Sequence, residues 1–160
     1  MNLSSRITLE QFKKSDVGTR AHIEEQFNPP QNIIEPAKAL CENVIEKLFN
    51  LFPDLHINSG YRCPKVNALI GGSATSQHCK GEAVDVSIKS LSNIKIAQAV
   101  LFAKIPFDQM IIEGGTMEKP VWIHLSYSKF ANRAQILRAD FSTGKAVYTG
   151  LTPKQIQEVK

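Results

Sequence analysis

Two of the chain's four histidines sit where a side chain could do chemistry. His78 lies in Ser76-Gln-His-Cys-Lys-Gly-Glu-Ala-Val-Asp85, which reads as a polar loop, a tight turn at Gly81 and then a strand. Asp85 interrupts an otherwise apolar strand. An ionised carboxylate in such a place is costly unless a cation or hydrogen-bond donors compensate it. On the two-residue alternation of a strand, Asp85 shares a face with Ala83 and Ser87, while Val84, Val86 and Ile88 point into a core. His124, in Trp122-Ile-His-Leu-Ser126, shares a face with Trp122 and Ser126, opposite Ile123 and Leu125. If the loop folds back over the strand, His78 and Asp85 meet. Two imidazoles and one carboxylate form a normal catalytic zinc set that leaves a fourth position for water. Such a metal makes the water's proton easier to lose. Taken alone, the three residues fit a metal site, a His–Asp acid–base pair or three unrelated side chains. His22, in a helical and charged N-terminal stretch, and His56, at the start of a strand, read as ordinary structural or surface residues.

The elements that must position these residues are legible as periodic runs. Thr8 to Phe12 predicts a short capped helix. Ile33, Ile34, Ala37, Leu40, Val44, Leu48 and Leu51 recur at three- and four-residue steps, which predicts an amphipathic helix ending near Phe52-Pro53. Pro36 falls in its first turn, where a missing N–H costs little. Leu55 to Ser59 predicts a strand, Pro64 to Ile70 a short helix stopped by Gly71-Gly72, and Glu82 to Ile88 a second strand. Leu91 to Lys104 predicts another amphipathic helix, capped by Ser90 or Ser92. Phe107 to Glu113 and Val121 to Tyr127 pair as a hairpin with a longer loop, and Gln135 to Phe141 with Lys145 to Tyr148 as a second one. The order predicts an α+β fold: a mainly antiparallel sheet with helices packed on one face.

Composition narrows the partners. The 160 residues favour one domain, and 42% hydrophobic with 21% charged content is that of an ordinary globular chain. The net charge of +4 is spread out, with no basic run longer than Lys13-Lys14, so no nucleic-acid partner is expected. Cys41, Cys63 and Cys79 have an odd count and no metal-knuckle spacing, which suits reduced thiols. Met1 to Arg20 carries no apolar signal region and no stretch is long enough to span a membrane. Synthesis in the cytoplasm and a monomer are expected.

Ser59-Gly-Tyr-Arg62, Ser76-x-His78-x-x-Gly81-x-Ala83-x-Asp85 and Trp122-x-His124 together resemble the zinc D-alanyl-D-alanine carboxypeptidases. That family includes phage cell-wall endolysins and shares its fold with the Hedgehog signalling domain. The resemblance spans roughly residues 7–127, with a C-terminal hairpin and tail at 128–160, and is greatest to single-domain phage and bacterial members. It implies a Hedgehog/DD-peptidase-like fold, Zn2+ held by His78, Asp85 and His124, and peptidoglycan peptides as substrate, with the bacterial cell wall as the site of action. It implies that Arg62 contacts substrate near the scissile bond, where a fixed guanidinium can bind a carboxylate or an oxyanion. Ser76 would bind substrate or orient the His78 loop, and Trp122 would wall the site.

One position departs from the pattern. Where the family places a general-base Asp or Glu, three residues before the last zinc histidine, this chain has Val121. Glu113, at the end of the preceding strand, is the expected replacement if it lies opposite Val121 across the hairpin. Glu118 in the loop is a weaker candidate. The alternative is a catalytically weak or inactive module that binds a wall peptide or a protein. Cys79 reads as a neighbour of a ligand rather than a ligand.

Overall fold

A computed structural model describes residues Met1–Lys160. Local sequence explains most of its elements. Helix α1 (Leu9–Phe12) starts at a capping box in which Thr8 and Gln11 satisfy each other's free backbone donors. Helix α2 (Asp16–Arg20) is capped by Ser15. The predicted amphipathic helix runs as α3 (Ile34–Leu40), a π-helical turn (Cys41–Ile45) and α4 (Glu46–Leu51), and ends before Pro53. Ile34, Ala37, Leu40, Val44 and Leu48 are buried as expected, but Leu51 is 47% exposed. The π turn admits an extra residue and shifts the phase of the stripe beyond it.

Strand β1 (His56–Ser59) leads to helix α5 (Pro64–Leu69), which has proline in its first turn. Strand β2 (Ala83–Ser87) follows, and then helix α6 (Ile94–Phe102). The residue at the start of α6 is Asn93, not Ser90 or Ser92, and its side chain does not cap the helix. It accepts from the Ile88 N–H and donates to the carbonyls of Pro120 and Val121, so it ties two loops together instead. Strands β3 (Gln109–Glu113) and β4 (Trp122–Ser126) form the first predicted hairpin, and β5 (Gln135–Asp140) and β6 (Val147–Gly150) the second. A last helix, α7 (Pro153–Gln157), follows without having been anticipated.

The strands form one sheet in the order β1-β2-β4-β3-β5-β6, antiparallel throughout except where β5 runs parallel to β3. This is an α+β architecture with a mostly antiparallel sheet. Val84, Val86, Met110, Ile112, Ile123 and Leu125 point from one face into the hydrophobic core, together with α3, α4 and α6. The opposite face carries Asp85, His124 and Glu113. The segment between β1 and β2 folds over this second face, so the sheet has a dry side and a cleft side.

Candidate metal centre

Asp85 lies directly opposite His124 in the β2–β4 register. Directly opposed side chains of an antiparallel pair are only ~5 Å apart. Asp85 Oδ1 accordingly stands 2.9 Å from His124 Nδ1. His78 reaches the same point from the 3₁₀ turn Gln77–Lys80, which closes on Gly81 at φ 72°. Glycine occupies that left-handed position without strain, and a Cβ there would come within 2.8 Å of the Ile33 carbonyl oxygen. The turn is pinned from below, because the Arg62 N–H donates to the His78 carbonyl at 3.2 Å.

The hydrogen bonds reveal which nitrogen of His78 is free. Nδ1 lies 2.7 Å from the Gly60 carbonyl oxygen. A carbonyl can only accept, so Nδ1 carries the proton and Nε2 of the neutral ring is a bare lone pair. That lone pair faces Asp85 Oδ1 at 3.2 Å and His124 Nδ1 at 3.2 Å. One atom from each residue thus lies within 4.8 Å of the other two. Two nitrogens and a carboxylate oxygen converge with at most one proton, on His124, to share among them. A cation at their centre relieves that crowding of acceptors, and a two-nitrogen, one-oxygen set suits zinc. The donor set therefore fits the metal.

Burial and charge prepare the same state. His78, Asp85 and His124 are 1%, 8% and 7% exposed. Burial pushes the His78 imidazole down, against the pull of Asp85, toward its neutral form. Burial opposes ionisation of Asp85, but positive charge on the imidazoles of His78 and His124, with their hydrogen bonds, more than offsets it and holds the carboxyl well below its usual range; a bound cation would play the same part once the imidazoles are neutral. Neutral imidazole and ionised carboxylate are the forms that ligate metals.

The other expected residues gather around this group in a cleft of about 930 Å³. Arg62 places one guanidinium nitrogen 3.4 Å from Asp85 Oδ2, while its buried Nε has no partner within the chain. The segment bearing it is held by Gln26, which is fully buried, donates to the Tyr61 carbonyl and accepts from the Cys63 N–H. Ser76 precedes the His78 turn and lines the cleft, but its hydroxyl makes no capping bond. Trp122 also lines it. Cys79 is not among the converging groups.

Glu113 requires a correction of register. It pairs with Trp122, not with Val121. A one-residue slip changes the face, and opposite Val121 its side chain would have pointed into the core beside Ile123. Opposite Trp122, it lies on the face of His124. Its carboxylate accepts from Trp122 Nε1 at 2.9 Å. Burial, and then the nearby charge of Asp85, raise its pKa. Glu118 is exposed in the connecting loop and does not line the cleft.

Sequence reasoning missed a second buried carboxylate. Asp108, 4% exposed, accepts two bonds from the Arg133 guanidinium, at 2.9 and 2.6 Å, and one from Gln77 Nε2 at 2.9 Å. Arg133 first, and then Gln77, draw its pKa down to about 2 against the effect of burial. Gln77 adjoins His78, so this network ties the ligand-bearing turn to the start of β3 and to the crossing into β5. An aspartate within Phe107-Asp-Gln-Met-Ile-Ile112 was the available signal, of the same kind that marked Asp85.

A family model described as peptidase M15 matches residues 10–126, well over half of the chain. The match takes in all three converging residues, Arg62 and Glu113. No curated protein matches the chain.

Proposed function

Because the chain belongs to the peptidase M15 family, a zinc-dependent group of D-alanyl-D-alanine carboxypeptidase-like metallopeptidases, we propose that it hydrolyses a peptide bond in bacterial peptidoglycan. The bond would lie in a D-alanine-containing stem or cross-bridge peptide, cut as a carboxypeptidase or an endopeptidase of the phage endolysin or bacterial cell-wall type. The observation that carries this reading is the convergence of two imidazole nitrogens and a carboxylate oxygen on one side of a cleft that also holds a raised-pKa carboxyl and a half-satisfied arginine.

His78, Asp85 and His124 would hold the metal. Zinc bound there supplies a Lewis acid for the scissile carbonyl and makes water a better nucleophile. Glu113 takes a proton from the attacking water and passes it to the leaving amine; its raised pKa suits both transfers. The bond from Trp122 keeps its carboxylate aimed along the cleft floor. Arg62 presents its guanidinium to a peptide carboxylate or to the oxyanion that develops as the carbonyl is attacked. Ser76 and Trp122 contact the bound peptide. The fold is of the Hedgehog/DD-peptidase kind, residues 1–160 act as a single peptidase domain and a monomer, and the protein is made in the cytoplasm to act at the cell wall.

Val121, standing where an acidic residue is usual, favours a second reading: a wall-peptide or protein-binding module of weak or no activity. Incubation with purified peptidoglycan separates the two. New amino termini in the soluble fraction support the peptidase. Co-sedimentation without them, in zinc-loaded protein, supports the module.

A further inference from the structure

The family match ends at residue 126, but the cleft continues past it. Its far wall comes from β5, β6 and the turn between them, through Leu137, Phe141, Ala146 and Tyr148. The register explains this. Glu113 lies beside Ala139 in the parallel β3–β5 pair, and Ala139 lies opposite Tyr148 in the β5–β6 pair. Trp122, Glu113, Ala139 and Tyr148 therefore form one row across four strands on the cleft face. The next row runs Asp85, His124, Ile111, Leu137. Strands are ~4.8 Å apart, so the backbones of Tyr148 and Glu113 are separated by about 10 Å, most of which a tyrosine ring can span. The methyl of Ala139 between them is fully buried, so the sheet is covered at that point. Beyond Glu113 the cleft is thus bounded by the aromatic side chain of Tyr148 on β6.

This wall does little for the fold. Phe141 and Tyr148 are 43% and 55% exposed and stand outside the hydrophobic core. Nor does it present a free charge. Arg133 reaches the cleft here, but its guanidinium is engaged by Asp108. The opposite wall is different, with Arg62 and Lys80 along it. The cleft is cationic on one side and apolar on the other.

We propose that the β5–β6 hairpin is a specificity subsite of the peptidase cleft that receives an uncharged aliphatic side chain next to the scissile bond, with the ring of Tyr148 as its main contact. The inference rests on the peptidase reading above and adds a determinant outside the matched family region. A charged side chain would lose its water against Phe141, Leu137 and Tyr148.

Trp122, the only tryptophan, lies on the cleft floor and reports binding without turnover. The probes are diacetyl-Lys-D-Ala-D-Ala and two analogues with D-Glu at either D-Ala position. Tyr148→Ala is expected to weaken binding of the first peptide and raise its KM by about tenfold. It should keep kcat within about twofold and lose about tenfold of the discrimination against one D-Glu analogue. Phe141→Ala should act in the same direction. Tyr148→Phe should restore the binding and KM lost in Tyr148→Ala, since the ring and not the hydroxyl makes the contact. Turnover indifferent to Tyr148→Ala overturns the subsite and leaves the peptidase reading standing. So does a loss of kcat alone that Tyr148→Phe reproduces. Binding that Tyr148→Ala weakens, without turnover by the zinc-loaded wild type, keeps the subsite and removes the hydrolytic reading. Neither binding nor turnover by the wild type removes both.

Discussion

Replacing Glu113 with glutamine takes away a proton acceptor and very little else. The side chain keeps its length and volume at the end of β3, and its amide oxygen can still accept from Trp122 Nε1, which now bonds the carboxylate at 2.9 Å. Stability should therefore change by less than about 1 kcal/mol. A positioned general base contributes roughly 10²–10⁴ in rate, or about 3–5 kcal/mol of barrier. Burial and the charge of Asp85 raise the pKa of Glu113, which suits a base, so the loss belongs within that range. We expect kcat to fall by about a thousandfold, with KM and zinc content near wild type. The pH profile supplies an independent check. Glu113 accepts a proton only when ionised, so wild-type kcat/KM falls along an acid limb as pH drops through its pKa. The residual rate of Glu113→Gln should lack that limb. A kcat within about threefold of wild type, in protein that retains its zinc, would remove Glu113 from the mechanism.

Asp108 makes a prediction about stability. Its folded pKa of about 2 lies below the ordinary 3.8, so it stabilises the fold above about pH 4 and that contribution is lost as pH falls toward 2. The difference is worth at most about 2.5 kcal/mol, trimmed by solvent at the exposed end of Arg133. Asp108→Asn should flatten denaturation free energy against pH over that window, and an unchanged slope would contradict the assignment. Gly81→Ala places a Cβ at φ 72° within 2.7 Å of Ile33 Cγ2 and 2.8 Å of the Ile33 carbonyl oxygen. A backbone oxygen cannot move aside cheaply, so the variant should lose about 2 kcal/mol or more and bind zinc more weakly as the His78 turn shifts. A wild-type denaturation midpoint and zinc affinity would show that the turn tolerates the change.

Local pattern singled out His78 and Asp85, but that they join His124 in one ligand set was implied only by the family resemblance. Asp85 was a charge in an apolar alternation, and His78 lay in a loop that Gly81 could fold back. Period-two alternation alone placed Asp85 and His124 on the side away from the valines, and burial of Val84 and Val86 agrees. The pairing across the hairpin was less legible. Eight residues separate Glu113 from Trp122, and a loop of that length does not determine register, so Val121 was a plausible partner by one residue. The requirement that Glu113 avoid the core decides against it. Helix α7 was missed because it is short and polar, with Ile156 its only buried residue. Its signal was local: Thr152 and Gln155 form a capping box like that of Thr8 and Gln11. The Asp108–Arg133–Gln77 network joins residues dozens of positions apart, and no local pattern indicates such a partnership. The row from Trp122 to Tyr148 depends on β5 joining the sheet parallel to β3, a long-range choice that strand periodicity leaves open.

Metal content tests the central claim most directly. Purified protein, reconstituted with zinc and dialysed, should hold about one zinc per chain by elemental analysis, and His78→Ala should hold little or none while remaining folded. No bound zinc in the wild type after reconstitution, or full occupancy in His78→Ala, would contradict the site described here.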